Sequence, residues 1–126
     1  MKFRYTILYV KDVKSAIDFY VAAFGAKQKM LHESGDYGEL DTGNTILAFS
    51  ALELMRQLGK TPKPADASAP SFEIAFETDD VEAGVDRAIK AGAKLISKPS
   101  KMSWGQTIAY VSDENGFLIE ICTPIG

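Results

Sequence analysis

From Phe3 to Val10 the chain alternates. Phe3, Tyr5, Ile7 and Tyr9 fall on one side of an extended backbone and Arg4, Thr6, Leu8 and Val10 on the other, which predicts a strand. At Asp12 the period changes from two to that of a helix. Val13, Ala16, Ile17, Tyr20 and Phe24 recur at helical spacing, Asp12 is placed to accept from the free amides of the first turn, and Gly25 stops the run. Residues 27–33, 37–41 and 45–51 then read as three strands, with Ser34-Gly35-Asp36 and Thr42-Gly43-Asn44 as the turns between them. The order is βαβββ.

Residues 52–70 break this pattern. Leu52 to Gly59 suits about two turns of helix, and the proline-rich, polar stretch that follows cannot bury much, so it reads as a connector. Beyond it the βαβββ order returns. A strand over 71–78 leads to a cap at Asp79 or Asp80, a helix carrying Val81, Val85, Ala88 and Ile89, and a stop at Gly92. Three strands follow over 94–98, 104–112 and 117–123, with Lys98-Pro99-Ser100 as a turn. Local sequence supports a duplication: Asp12-Val13 lies over Asp80-Val81, Gly25-Ala26-Lys27 over Gly92-Ala93-Lys94, and Asp41-Thr42-Gly43-Asn44 over Asp113-Glu114-Asn115-Gly116. The predicted fold class is α+β: two βαβββ modules in tandem, forming a curled mixed-sheet cup with helices on its outer face. Module one is 1–51, the connector 52–70 and module two 71–126, all within one domain.

Alternation also assigns faces. Phe72, Ile74 and Phe76 suit the helix side of the fifth strand, which leaves Glu73, Ala75 and Glu77 opposite. In the last strand Phe117, Ile119 and Ile121 suit the helix side, with Leu118, Glu120 and Cys122 opposite. The repeat-equivalent positions in module one are Tyr5 and Ala48. Sheets that curl toward each other would line one cavity with Tyr5, Ala48, Glu73 and Glu120.

Composition narrows the function classes. With 14 basic and 17 acidic residues in 126, a net charge of −3 and a pI near 5.1, the chain lacks the basic footprint of a nucleic-acid or anionic-membrane binder. The start runs Met-Lys-Phe-Arg into a strand pattern with no long apolar run, which predicts a cytoplasmic protein. The single cysteine, Cys122, excludes an internal disulfide and reads as a small core or pocket residue.

The doubled motif, the opening YTILYVKDVKSAIDFYVAAFGA and the closing WGQTIAYVSDENGFLIEI resemble the vicinal oxygen chelate superfamily, which includes glyoxalase I, bleomycin-resistance proteins and extradiol dioxygenases. The most specific part is the D-x-x-G-x-x-x-E ending from Asp113 to Glu120. The resemblance implies that metal-dependent members would hold a divalent ion at Tyr5, Ala48, Glu73 and Glu120. Only Glu120 matches the usual ligand, Glu73 and Tyr5 stand where histidines are common, and Ala48 has no donor. Glu73, Glu120 and Tyr5 form a poor site for ions that favour imidazole, and would at best hold a hydrated magnesium or manganese ion. The lone His32, off these positions, reads as a surface or packing residue.

The reading is therefore of a metal-independent protein, without cofactor, that binds or sequesters a small organic ligand, the mode the resemblance to bleomycin-resistance proteins implies. Its ligand-binding residues are Tyr5, Ile7, Tyr9, Ala48, Ser50, Glu73, Trp104, Gln106 and Glu120. Phe3 and Ile46 add apolar area, and Glu77 is a rim charge. The aromatic and acidic mixture suits a medium-sized organic ligand, cationic or neutral, held by stacking, cation–π contact and a carboxylate. Trp104 serves either as a rim for the ligand or as a cover for core at a sheet edge. Two other readings stay open: Glu120 and Glu73 as a metal-free acid–base pair, and a metal-dependent lyase or dioxygenase on Glu120, Glu73 and Tyr5. A third is an interaction module whose cup is vestigial. The resemblance also implies a homodimer, with the cup built within one chain or across two.

Overall fold

A computed structural model describes residues 1–125. Eight strands and three helices follow in chain order: β1 (Tyr5–Val10), α1 (Val13–Phe24), β2 (Lys27–Leu31), β3 (Tyr37–Asp41), β4 (Ile46–Ala51), α2 (Leu52–Gln57), β5 (Ile74–Glu77), α3 (Val81–Lys90), β6 (Lys94–Lys101), β7 (Thr107–Ser112) and β8 (Leu118–Cys122). They form two four-stranded mixed sheets of identical topology, β1-β4-β3-β2 and β5-β8-β7-β6. In each the first strand pairs parallel with the fourth, and the others pair antiparallel. The tandem βαβββ plan is the one the periodicity predicts.

The chain divides into two compact units, Met1–Val21 with Gly25–Pro64, and Ala22–Phe24 with Ala65–Gly126. In the first, α1 begins at Asp12, whose carboxylate accepts from the Ser15 amide at 2.9 Å, and ends at Gly25. The helix covers the side of the sheet that carries Leu8, Val10, Leu40 and Phe49, all essentially inaccessible. Tyr20 and Phe49 meet there with ring centres 5.3 Å apart. A methyl group at Gly38 would lie 2.5 Å from Ile17 Cδ1, so the missing side chain is what lets the helix sit this close. Tyr5 and Ile7, on the other side of β1, remain 42% and 45% exposed. Phe3 precedes the strand rather than opening it.

In the second unit α3 is capped by Asp80, which accepts from the Ala83 amide at 3.0 Å. Val81, Val85 and Ala88 are buried, on the side of the sheet that carries Ile119 and Ile121, whereas Ile89 is exposed. Phe76 stacks on Phe24 at 4.2 Å with nearly parallel rings. Three predicted boundaries need correction. β5 has only four residues, so Glu73 lies just before the strand and it is Ala75 that stands opposite Glu120. Lys98-Pro99-Ser100 is no turn: β6 runs through it as the outer strand, with register shifts that leave proline's missing N–H where the ladder is already interrupted. β7 starts at Thr107, and Trp104 and Gln106 lie outside it, Trp104 in the β6–β7 connection, because Gly105 N–H closes a tight turn onto the Met102 carbonyl at 3.0 Å.

Candidate functional site

The helix-free side of the second sheet holds a cleft of about 670 Å³. Ala75, Ile108, Met102 and Ile125 give its apolar wall. Its polar lining is Glu77, Gln106, Tyr110, Glu120 and Cys122, with Trp104 at the lip. Strand register explains the grouping. Ala75 of β5, Glu120 of β8 and Tyr110 of β7 occupy one rung of the ladder, and Glu77, Cys122 and Ile108 occupy the next on the same face.

Glu120 is the hub. The Tyr110 phenol donates to its Oε2 at 3.4 Å. The Glu73 carboxyl is held above the usual carboxylate range, first by a hydrogen bond with Glu120, then by partial loss of water and by the like charge; a hydrogen bond with Tyr110 pulls the other way. Burial, with the negative charges of Glu120 and Glu73, pushes the Tyr110 phenol up to about 12. Burial and then Glu120 push the Cys122 thiol up to about 11, and its Sγ donates to the Phe76 carbonyl at 3.7 Å. Tyr110 and Cys122 are therefore neutral at pH 7. No lysine, arginine or histidine is among the lining residues. Among the described lining residues the acidic side chains are Glu77 and Glu120.

Because Glu73 gains affinity for its proton on folding, its contribution to stability is present below its ordinary value of 4.5 and is lost as the pH rises through its higher folded value. A titration of its carboxyl carbon by NMR should therefore give a midpoint above 4.5. Glu73→Gln, which stays uncharged, should remove the matching fall in stability as the pH rises above 4.5.

Trp104 is 63% exposed yet fixed. Its indole N–H donates to Gln106 Oε1 at 2.9 Å, and Gln106, itself buried, donates from Nε2 to the Thr123 carbonyl at 2.7 Å. The ring's only donor is used internally, so it offers an occupant nothing but its face and edge. Trp104 lines the mouth of the cleft beside Gln106. Gln106→Ala should free the ring and leave the Thr123 oxygen without its partner, at a cost of about 1–3 kcal/mol. Since Trp104 is the only tryptophan, its fluorescence anisotropy should fall in that variant, and an unchanged value would contradict the anchoring.

The remaining predicted residues lie in the first unit. Tyr5, Ile7 and Tyr9 of β1 stand beside Ile46, Ala48 and Ser50 of β4 on the helix-free face. Sequence reasoning missed two residues there. Glu39 pairs with Ala48 across the β3–β4 ladder, and Tyr37 donates to Glu39 Oε2 at 2.8 Å. The alternation of β3 would have shown that these two share a face; only the ladder shows which one.

The donor set does not suit an ion of the kind the fold family uses. Among the described residues no three His, Cys, Asp or Glu side chains converge. His32 lies in the β2–β3 turn with Nδ1 2.8 Å from Ser34 Oγ. The Tyr110 phenol already donates to Glu120 Oε2.

Comparison with known proteins gives consistent results. A family model described as a glyoxalase-like domain matches residues 3–126. The uncharacterized protein YraH of Bacillus subtilis is 29% identical over 96% of this chain and 97% of its own. A lactoylglutathione lyase of Neisseria meningitidis is 29% identical over 95% of this chain and 88% of its own. A glyoxalase/bleomycin resistance protein/dioxygenase family enzyme from Burkholderia phytofirmans has a TM-score of 0.75 at 27% identity, covering 94% of this chain and 95% of that one.

Proposed function

The chain belongs to the glyoxalase-like domain family, of vicinal oxygen chelate fold, and we propose that within it this protein binds and sequesters a small organic cation without a metal ion. One observation carries the reading: Glu77 and Glu120 bring acidic side chains into the cleft, and no lysine, arginine or histidine is among its described lining residues. A ligand that enters must bring positive charge and hydrogen-bond donors. A carboxylate, phosphate or sulfonate would meet repulsion and find no cationic partner. The apolar wall and the Trp104 face favour a ligand with a flat or greasy body, which gains from leaving water and from cation–π contact.

The test is a calorimetric and thermal-shift comparison of benzyltrimethylammonium with benzenesulfonate, which is similar in size and opposite in charge. Saturable binding and a raised Tm with the cation alone are expected. Equal responses, or a response to the anion alone, would discard the charge argument.

A second reading, a metal-dependent lyase, draws on the likeness to the Neisseria lactoylglutathione lyase. Its difficulty is the donor set just described. Elemental analysis of the purified protein decides it: a stoichiometric divalent ion that is lost in Glu120→Gln would favour that reading over the first. The reading also includes a homodimer, which sedimentation equilibrium checks.

A further inference from the structure

Among the described residues β6 is the longest strand, and it stands at the outer edge of its sheet with β7 as its one partner. Because it runs on through Lys98-Pro99-Ser100, that edge is eight residues long. Every residue of it except Pro99 is exposed. An outer strand leaves backbone N–H and C=O groups without a ladder partner, so it is a place where a further strand can pair.

The side chains along this edge select what such a strand carries. Lys94, Lys98 and Lys101 put positive charge on β6, which holds no Asp or Glu, in a chain whose net charge is −3. Among the described residues none of these lysines enters an ion pair or a side-chain hydrogen bond. Lys14 and Lys60, by contrast, are engaged with Asp18 and Tyr9. Leu95 and Ile96, 45% and 47% exposed, add apolar area between the charges. Register with Ser112 and Val111 places Lys94 on the open side of the sheet and Leu95 on the helix side. An incoming strand that alternates acidic and apolar residues would match both. A second β6 would not: antiparallel pairing about the middle of the strand sets Lys94 against Lys101 twice, and like charges directly opposite repel. Lysine and proline thus close the edge to its own kind and leave it open to the opposite charge.

We propose that the outer edge of β6 is a docking strip for an extended acidic segment of another protein, which adds to this four-stranded sheet along Lys94 to Lys98. Its carboxylates meet Lys94, Lys98 and Lys101, and its apolar residues lie against Leu95. Pro99 has no N–H to give and ends the backbone ladder, so Lys101 acts on the segment by charge alone. The strip uses none of the cleft's lining residues and does not depend on the cation-binding reading.

Titration of isotope-labelled protein with the acetylated and amidated peptide Glu-Val-Glu-Val-Glu-Val-Glu, followed by backbone amide shifts and hydrogen exchange, tests it. In the wild type the amides of Leu95, Ile96, Ser97 and Lys98 should move saturably, and those that face outward should exchange at least about tenfold more slowly. The peptide Lys-Val-Lys-Val-Lys-Val-Lys should not bind. Combining Lys94→Glu, Lys98→Glu and Lys101→Glu, all at exposed positions, should weaken binding of the acidic peptide at least about tenfold. The combined variant should bind benzyltrimethylammonium as the wild type does, which keeps the cleft reading separately measurable. No response to the acidic peptide, equal binding of the basic one, shifts at β2 in place of β6, or binding unchanged in the combined variant would each overturn the proposal. So would hexathymidylate binding at the same amides as tightly as the acidic peptide, since a flexible polyanion cannot add as a strand.

Discussion

Replacing Glu120 by glutamine is expected to weaken organic-cation binding in the cleft by about ten- to a hundredfold, the loss of one charge-assisted contact worth about 1.5–3 kcal/mol. Isothermal titration with benzyltrimethylammonium reads it directly. The change is nearly isosteric, and a hydrogen bond from Tyr110 can still reach the amide oxygen, so the unit should stay folded. The same substitution acts on the neighbours. Glu73 loses both the hydrogen bond and the like charge that hold its proton, so its midpoint should return toward 4.5. The Cys122 thiol should come down from about 11, though not fully, since burial is the larger cause of its rise. Binding that is unchanged in Glu120→Gln would remove the cleft's carboxylate from the proposed function. Glu73 remaining high would show instead that loss of water, and not Glu120, holds its proton.

Gly116→Ala is expected to destabilise the second unit by about 2–5 kcal/mol, from a left-handed backbone and an overlap that nothing nearby can relieve. The φ at Gly116 is +86°, and an added methyl would sit 2.3 Å from the Ala65 carbonyl oxygen and 2.8 Å from its carbon. Those are backbone atoms of the connector, so no rotamer change relieves the overlap. Gly105→Ala is the control. Its φ is also positive, at +97°, but the space around it is open, and only the left-handed term of about 1–2 kcal/mol should appear. Urea unfolding of the three proteins separates the two terms. Equal losses for the two variants would mean that the connector yields at Ala65. The turn that contains Gly116 also carries the buried Asp113, whose Oδ1 accepts from the amides of Asn115 and Phe117 at 3.0 and 2.9 Å. This is why the Asp113-to-Glu120 stretch reads so clearly in sequence: the turn sets the start of β8, and β8 delivers Glu120 to the cleft.

Much of the fold was legible because it rests on local periods. The switch from alternation to helical spacing at Asp12, the stop at Gly25 and the limits of β3 all follow from residues within a few positions of one another. So does the division of β1 into helix-side and open-side residues, which burial follows: Leu8 and Val10 are buried where Tyr5 and Ile7 are exposed. The misread boundaries were those that depend on a neighbouring strand. β5 stops short because hydrogen bonding to β8 spans only Ile74 to Glu77, and Pro99 is tolerated in β6 because that strand has an edge and a shifted register. Neither fact is present in the chain near those residues.

Sequence by itself determined that this protein is a duplicated βαβββ chain whose strand residues Glu77 and Glu120 lie off the helix side, since side-chain direction along a strand is a property of the strand alone. The tertiary structure decided which of those residues act together. Cross-strand register set Tyr110 against Glu120 and Glu39 against Ala48, and two hydrogen bonds through buried Gln106 held Trp104 at the lip of the cleft. Such groupings arise from pairing between segments far apart in the chain, where a shift of one residue would turn every side chain to the opposite face.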